Sequence, residues 1–295
     1  MTKLLCGSIL FIAAMAVGPA KAADIAVQAP AYKAPPPVSI YSWTGFYIGG
    51  NAGYGWGESS KVALSPDNGA GQELLGRLTP SAPASFRTSG FVGGGQLGYN
   101  WQVNRSWVAG VEADFNYADV KGSSSLTSTF QLGIGGTHAA PIAVGRTLDW
   151  YGTLRGRLGF LPTDRFLIFA TGGLAFGQTT ANASITMTTG GLTTTALDGS
   201  TMSCVLAATC VAADKSRTAL GWTAGGGAEW ALGSNISLKA EYIYVALGNQ
   251  TIHMTAIPPS SGTISVGARF DDANYHIVRG GINFKFGADP IVARY

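Results

Sequence analysis

The chain has 295 residues, of which 12% are charged and 42 are glycine, and its mean hydropathy is positive at +0.20. Nineteen Lys and Arg face 16 Asp and Glu, a balance too even for a nucleic-acid-binding surface. Such an apolar composition is unusual for a soluble exported protein, yet no segment beyond the N-terminus approaches a membrane-crossing helix. Only helices and closed barrels satisfy their backbone groups in hydrocarbon, so the composition points to crossing by strands.

In chain order, Met1-Thr2-Lys3 precedes an apolar stretch from Leu4 to Val17, and Ala20-Lys21-Ala22 follows. This is the pattern of an export signal over residues 1 to 22, cleaved after Ala22. Cys6 lies inside it and reads as a signal residue. Removing the signal takes away Lys3 and Lys21 and no acid, so the 19 basic residues fall to 17 against 16 acids. Residues 23 to 40 are rich in Pro and Ala and read as an extended periplasmic lead-in, a spacer in preference to a Pro-rich ligand.

From residue 41 onward a period of two takes over. In "WTGFYIGGNAGYGWG", residues 43 to 57, the even positions Thr44, Phe46, Ile48, Gly50, Ala52, Tyr54 and Trp56 make one apolar face with aromatics near both ends. The odd positions from Gly45 are small or polar. Alternation of this kind is a strand signal.

Seven more segments repeat it. Thr88 to Val103 sets Phe91, Leu97, Tyr99 and Trp101 against Gln96, Asn100 and Gln102, and Trp107 to Ala118 sets Trp107, Val111, Phe115 and Tyr117 against Glu112, Asp114 and Asn116. Leu148 to Leu161 sets Leu148, Trp150, Leu154, Leu158 and Phe160 against Asp149, Thr153, Arg155 and Arg157. Arg165 to Gly177 carries Phe166, Ile168, Leu174 and Phe176 on one side, and Thr218 to Leu232 sets Leu220, Trp222 and Trp230 against Thr223 and Glu229. Ile236 to Leu247 sets Ile236, Leu238, Tyr242 and Tyr244 against Lys239 and Glu241, and Asn274 to Phe286 sets Val278, Ile282, Phe284 and Phe286 against Arg279, Asn283 and Lys285. Each segment is about the ten residues that a tilted membrane strand needs.

The connections are the most specific feature. "NRS", "PTD" and "GSN" are minimal turns, whereas the connections near 58 to 87, 118 to 147, 178 to 217 and 248 to 273 are long, and short strictly alternates with long. Their Ser, Thr, Gly and Ala content predicts flexible, solvated surface loops. The expectation is therefore all-β: an eight-stranded antiparallel up-and-down transmembrane barrel over residues 41 to 286, with short turns in the periplasm and long loops outside. Aromatics at strand ends would form interfacial girdles. Glycines would occupy an interior too narrow for large side chains at every position.

With the apolar faces on lipid, the inward charges are Glu112, Asp114, Asp149, Glu229 and Glu241 against Arg155, Arg157, Lys239, Arg279 and Lys285. Unpaired charges in so narrow a space would be very costly. The expected arrangement is a closed, ion-paired plug, and its rival is a narrow selective pore lined by the same groups.

Other motifs carry less. "GGGQLG", residues 93 to 98, matches a dinucleotide fingerprint, but "YNWQV" continues a strand where that fingerprint needs a helix. His138, His253 and His276 fall in loops or near a strand end, with no Ser/His/Asp constellation, so no catalytic or metal role and no cofactor is expected. Cys204 and Cys210, with five residues between them and no nearby His, predict a local disulfide in an oxidising setting.

The blocks "WTGFYIGGNAGYGWG", "GGGQLGYNWQ", "LDWYGTLRGRLGF", "ATGGLAFG", "GWTAGGGAEWAL" and "VRGGINFKFG" resemble successive strands of the small alphaproteobacterial outer-membrane proteins of the opacity-porin superfamily. The resemblance spans nearly the whole chain after the signal. It implies an OmpA-like membrane barrel in the outer membrane, without catalytic residues, in a group described as porin-like, structural, surface-antigenic or haemin-binding. The partners it implies are outer-membrane lipid, the barrel assembly machinery and a host or environmental surface ligand, while the oligomeric state stays open. One departure concerns the C-terminus: the last strand ends at Phe286 but residues 287 to 295 follow, so either Phe286 or Tyr295 supplies the terminal aromatic that assembly reads.

Overall fold

The computed structural model describes residues 41–78, 84–131, 137–188 and 191–287. The expected signal, the lead-in and the tail from residue 288 lie outside the described residues. The first half of the chain forms β1 (Gly45–Gly57), β2 (Ser60–Pro66), α1 (Gly69–Arg77), β3 (Ala84–Phe86), β4 (Ser89–Gln102), β5 (Trp107–Gln131) and β6 (Thr137–Thr163). The second half forms β7 (Phe166–Met187), β8 (Leu192–Thr195), β9 (Thr201–Cys204), β10 (Ala208–Ala231), β11 (Ile236–Ala246), β12 (Gln250–Ala256), β13 (Ser261–Gly262), β14 (Ser265–Phe270) and β15 (Asn274–Lys285).

Eight of these strands close a ring in the order β1, β4, β5, β6, β7, β10, β11, β15 and back to β1, with every neighbour antiparallel. These are the eight strands expected from the alternation. The register places Phe46, Ile48, Leu97, Leu154, Leu174, Trp230 and Ile282 outward and exposed, while Tyr47, Asn51, Gln96 and Asn283 point inward and are buried. Closure itself calls for glycine on the inner face: a Cβ on Gly53 would stand 2.6 Å from Arg279 Cα. Outward Gly50 is different, because its nearest neighbour to an added Cβ is 3.8 Å away.

The long connections differ from the expected solvated loops. β5, β6, β7 and β10 continue past the barrel, and β12, β14, β2 and β3 pair onward from β10 in that order. A three-stranded sheet, β13, β9, β8, lies apart from this one in pairing. Together with α1 these strands enclose an apolar core that includes Leu74, Phe86, Ile142, Ile185, Met187, Ile252, Met254, Val266 and Phe270. Ser and Thr on the outward positions and Ala on many inward ones weaken the alternation here. Even so, Ala181, Ala183, Ile185 and Met187 are all buried on one face of β7, and the hydrophobic effect closes these segments into an extension of the wall.

Short α1 is held at its N-terminus from two sides. Asn68 caps it by accepting from Gly71 N at 2.9 Å, Asp198 accepts from Gly69 N at 2.6 Å and Ser200 Oγ accepts from Ala70 N at 2.7 Å. Of the free amides of the first helical turn, those of Gly69 and Ala70 are thereby satisfied by the β8–β9 connection and that of Gly71 by the cap. Hydrogen bonds from Ser200 Oγ and from the Gly69 and Ser200 amides hold the Asp198 carboxyl below its ordinary range.

Candidate functional site

The barrel interior is stratified. At the short-turn end Tyr41, Trp43, Val108, Leu161, Leu167, Phe169 and Ala231 pack together. Trp43 is fully buried there: its indole N–H donates to the Asp164 carbonyl and its amide to Gln102 Oε1, each at 3.0 Å. At the other end of the barrel a second apolar layer contains Val92, Val120, Leu148, Tyr151, Ile243, Val245, Leu247, Tyr275 and Ile277. The charged groups form a cluster of their own, separate from both.

The ladder prepares that cluster. Glu112 of β5 lies directly opposite Arg155 of β6, and Glu241 of β11 directly opposite Arg279 of β15. Opposed charges across a strand pair are favourable neighbours, and further contacts cross the lumen. Arg155 binds Glu112, Asp114 at 2.9 Å and Glu241 at 3.0 Å. Arg279 reaches Asp114 at 2.8 Å and Glu241 at 2.7 Å, and Lys239 reaches Glu112 and Glu241 at 2.9 Å each. Arg157 pairs with Glu229 and lies over the Phe169 ring at 3.9 Å.

Four carboxylates thus meet four cations, every one buried. Neutral donors add to the ion pairs, while Arg155 Nε and Arg157 Nε have no partner among the described residues. Tyr47 Oη donates to Glu112 at 2.7 Å, Thr153 Oγ1 to Asp114 at 2.7 Å and Asn116 Nδ2 to Asp114 at 2.6 Å. Asn51, Gln96 and Asn283 form an amide chain that ends on Glu229 at 2.8 Å. Low-dielectric burial of ions is tolerable only with this degree of mutual satisfaction.

Two residues expected in the lumen stand apart from the cluster. Asp149 falls within the register shift between Leu148 and Trp150, so it is half-buried and accepts from Thr180 Oγ1 at 2.7 Å. Lys285, at the last position of β15, places its ammonium 4.3 Å from the centre of the Tyr41 ring and donates to the Ser42 carbonyl. Tyr47, Asn51, Gln96, Asn116 and Thr153 share the inward alternation with the charges, and that alternation is the signal by which a sequence reading finds them.

The outer surface carries two aromatic bands. Near the short turns, Phe46 meets Tyr99 edge-on and Tyr99 meets Trp101 at a tilt, each at a 4.6 Å centroid separation, with Trp107 against Phe160 and Phe166 against Trp230. At the other end of the barrel, Trp150 lies between Phe115 and Phe176, Trp222 meets Tyr244 and Trp56 stacks on His276. Phe46 and Trp56 bracket β1 by ten residues, about 33 Å along the strand, or roughly 25 Å of height at a 40° tilt. That is the height of the apolar band of an outer-membrane barrel.

The remaining motifs resolve simply. "GGGQLG" lies inside β4. His276 Nδ1 is 2.7 Å from Tyr242 Oη, and His253 Nδ1 is 2.8 Å from Asp67. No group of three or more His, Cys, Asp or Glu side chains suited to a metal occurs among the described residues. Cys204 and Cys210 form a disulfide, both buried in the core of the extension.

Comparison with known proteins agrees with this architecture. The family described as outer membrane protein beta-barrel domain matches residues 10–286. The 31 kDa outer-membrane immunogenic protein of Brucella melitensis biotype 1 is 34% identical over 93% of this chain and 97% of its own. The 25 kDa outer-membrane immunogenic protein of the same organism is 26% identical over 90% of each chain. Among solved structures, the outer membrane protein OprG of Pseudomonas aeruginosa aligns over 83% of this chain and 98% of its own, at 11% identity and a TM-score of 0.42.

Proposed function

We propose a role that proceeds from one premise: this chain belongs to the outer membrane protein beta-barrel domain family and is an outer-membrane barrel. In our reading the barrel is a sealed scaffold whose work is structural and surface-interactive rather than conductive or catalytic. The observation that carries it is the buried cluster of four carboxylates and four cations between two apolar layers. A conducting lumen needs a hydrated path, and a fully ion-paired interior of eight strands supplies none.

In this reading the short turns face the periplasm, and the extension with its disulfide faces outward. Relatives bearing the name outer-membrane immunogenic protein support the outward presentation. The extension offers a partner a rigid surface, which lowers the ordering cost of binding. The ligand would be a host or environmental surface molecule.

Swelling of liposomes that contain the purified barrel tests the sealed state. The proposal expects rates for arabinose-sized solutes equal to those of empty liposomes. Swelling that slows with increasing solute size would establish a porin-type passive channel instead.

A further inference from the structure

Residues 41–44 precede β1 without joining the strand ladder, and they turn into the barrel instead of away from it. The bend is at Gly45, whose φ of +140° is one that residues with a side chain rarely adopt. A Cβ there would also stand 3.0 Å from the Phe286 carbonyl oxygen. Beyond this bend the chain crosses the lumen. The ring order puts β7 four strands from β1 in either direction, on the opposite wall. Yet Trp43 shares a buried cluster with Leu167 and Phe169 of β7, and its indole N–H bonds to Asp164 in the turn that leads into β7.

The crossing segment is fastened around the rim. The Trp43 amide donates to Gln102 Oε1 at 3.0 Å, and Thr44 Oγ1 accepts from the Gln102 amide at 2.9 Å, at the end of β4. From the other neighbour of β1, Lys285 of β15 donates to the Ser42 carbonyl and holds its ammonium over the Tyr41 ring. Tyr41 meets Trp43 edge-on at 5.0 Å, and Trp43 is the largest fully buried side chain among the described residues. Burial of both rings with the indole N–H satisfied drives the segment inward.

We propose that residues 41–44 are a strap that closes the short-turn mouth of the barrel, a second closure beneath the ion-paired cluster. The two closures touch, because Phe169, in the cluster that the strap completes, carries the Arg157 guanidinium at 3.9 Å. Loss of Arg157 therefore loosens the strap as well, whereas loss of the strap leaves the ion pairs in place. Since residues 41–44 make no ladder pairs, the strap can leave without opening the wall. The crossing is independent of whether the cluster conducts, and only the periplasmic placement of this mouth rests on the orientation proposed above.

Cysteine labelling tests the strap in the full chain purified from membranes, where Cys204 and Cys210 are tied in their disulfide. Ala231→Cys puts a thiol in the layer that the strap covers, and Ala175→Cys puts one in the apolar layer at the other end. Both should react slowly with a small water-soluble methanethiosulfonate. Adding Trp43→Ala should speed labelling at position 231 by about tenfold or more through local opening, and leave the rate at position 175 unchanged. Trp43→Phe keeps an aromatic ring and loses the indole bond, so it serves if Trp43→Ala fails to fold, and it should speed labelling at position 231 about threefold. Added to Arg155→Ala and Arg157→Ala, Trp43→Ala should enlarge the conductance steps of that pair. Fast labelling at position 231 with Trp43 in place, no change on its replacement, an equal rise at both positions, or steps of unchanged size would each overturn the proposal.

Discussion

Arg155 and Glu241 stand on strands three places apart around the wall, β6 and β11, yet their side chains meet at 3.0 Å across the lumen. This contact ties opposite arcs of the barrel through a cluster whose charges cancel. Each cation in it touches a carboxylate on another strand, so removing one strands its partners in the interior.

Arg155→Ala should therefore destabilise the barrel by about 3–5 kcal/mol, since three carboxylates lose a shared cation. Urea unfolding in detergent micelles, followed by heat-modifiable gel mobility, measures this. Arg155 and Arg157 changed together to Ala should cost still more or open a leak. A double variant that remains as stable and as impermeable as the parent would contradict the role of the cluster.

The two faces of β1 should respond oppositely to one methyl group. Gly53→Ala places a Cβ against Arg279 and should cost about 1–3 kcal/mol through overpacking. Gly50→Ala meets nothing nearer than 3.8 Å and should shift stability by no more than about 0.5 kcal/mol. Equal effects at the two sites would contradict the assignment of inner and outer faces.

On the extension, Asp67 Oδ2 lies 2.8 Å from His253 Nδ1 and accepts from Ser265 Oγ at 2.7 Å. Partial burial pushes this carboxyl up, but the hydrogen bonds from His253 and Ser265 outweigh it and leave it below the ordinary 3.8. A lowered folded-state value means that the stabilisation is fully present above about pH 4 and is lost as pH falls through the folded value. The exposed setting limits it to about 0.5 kcal/mol or less. Hydrogen exchange of the β12–β14 amides between pH 5 and 2 should show this loss in the parent and not in Asp67→Asn.

Asn68→Ala removes the side-chain cap of α1 and should cost about 1 kcal/mol locally. Limited proteolysis should then cut within residues 69–77 sooner, while the barrel stays folded by gel mobility. Unchanged cleavage would mean that Asp198 and Ser200 alone hold the helix.

The outward presentation of the extension has its own test at Leu197, whose side chain is fully solvent-exposed. A Leu197→Cys variant should react with a membrane-impermeant maleimide on intact cells. A cysteine in place of Arg105, in the short connection between β4 and β5, should react only after lysis. The reverse pattern would invert the proposed orientation.

The barrel was legible in the sequence because its contrast is extreme: Phe46, Ile48 and Tyr54 alternate with Gly49, Asn51 and Gly53, and lipid on one side amplifies the period. The extension was harder to read because its outward positions are Ser and Thr and many of its inward ones are Ala. Composition that suits a solvated loop can also cover a small apolar core. Eight of the charges expected in the lumen meet there, since each lies on an unbroken alternation. Asp149 does not, because a register shift between Leu148 and Trp150 moves it out of phase. A bulge of one residue leaves no mark in the residue pattern itself. Trp43 and Arg146 depend on three-dimensional neighbours such as Asp164 and Asp271, far away in sequence.

The most direct measurement is planar-bilayer conductance of the purified full chain, shown to be folded by heat-modifiable mobility, across a range of salt concentrations. A sealed scaffold predicts no discrete steps at any salt concentration, with steps appearing only when Arg155 and Arg157 are replaced by Ala. Reproducible steps from the unaltered protein, scaling with salt, would contradict the sealed lumen and make the barrel a channel.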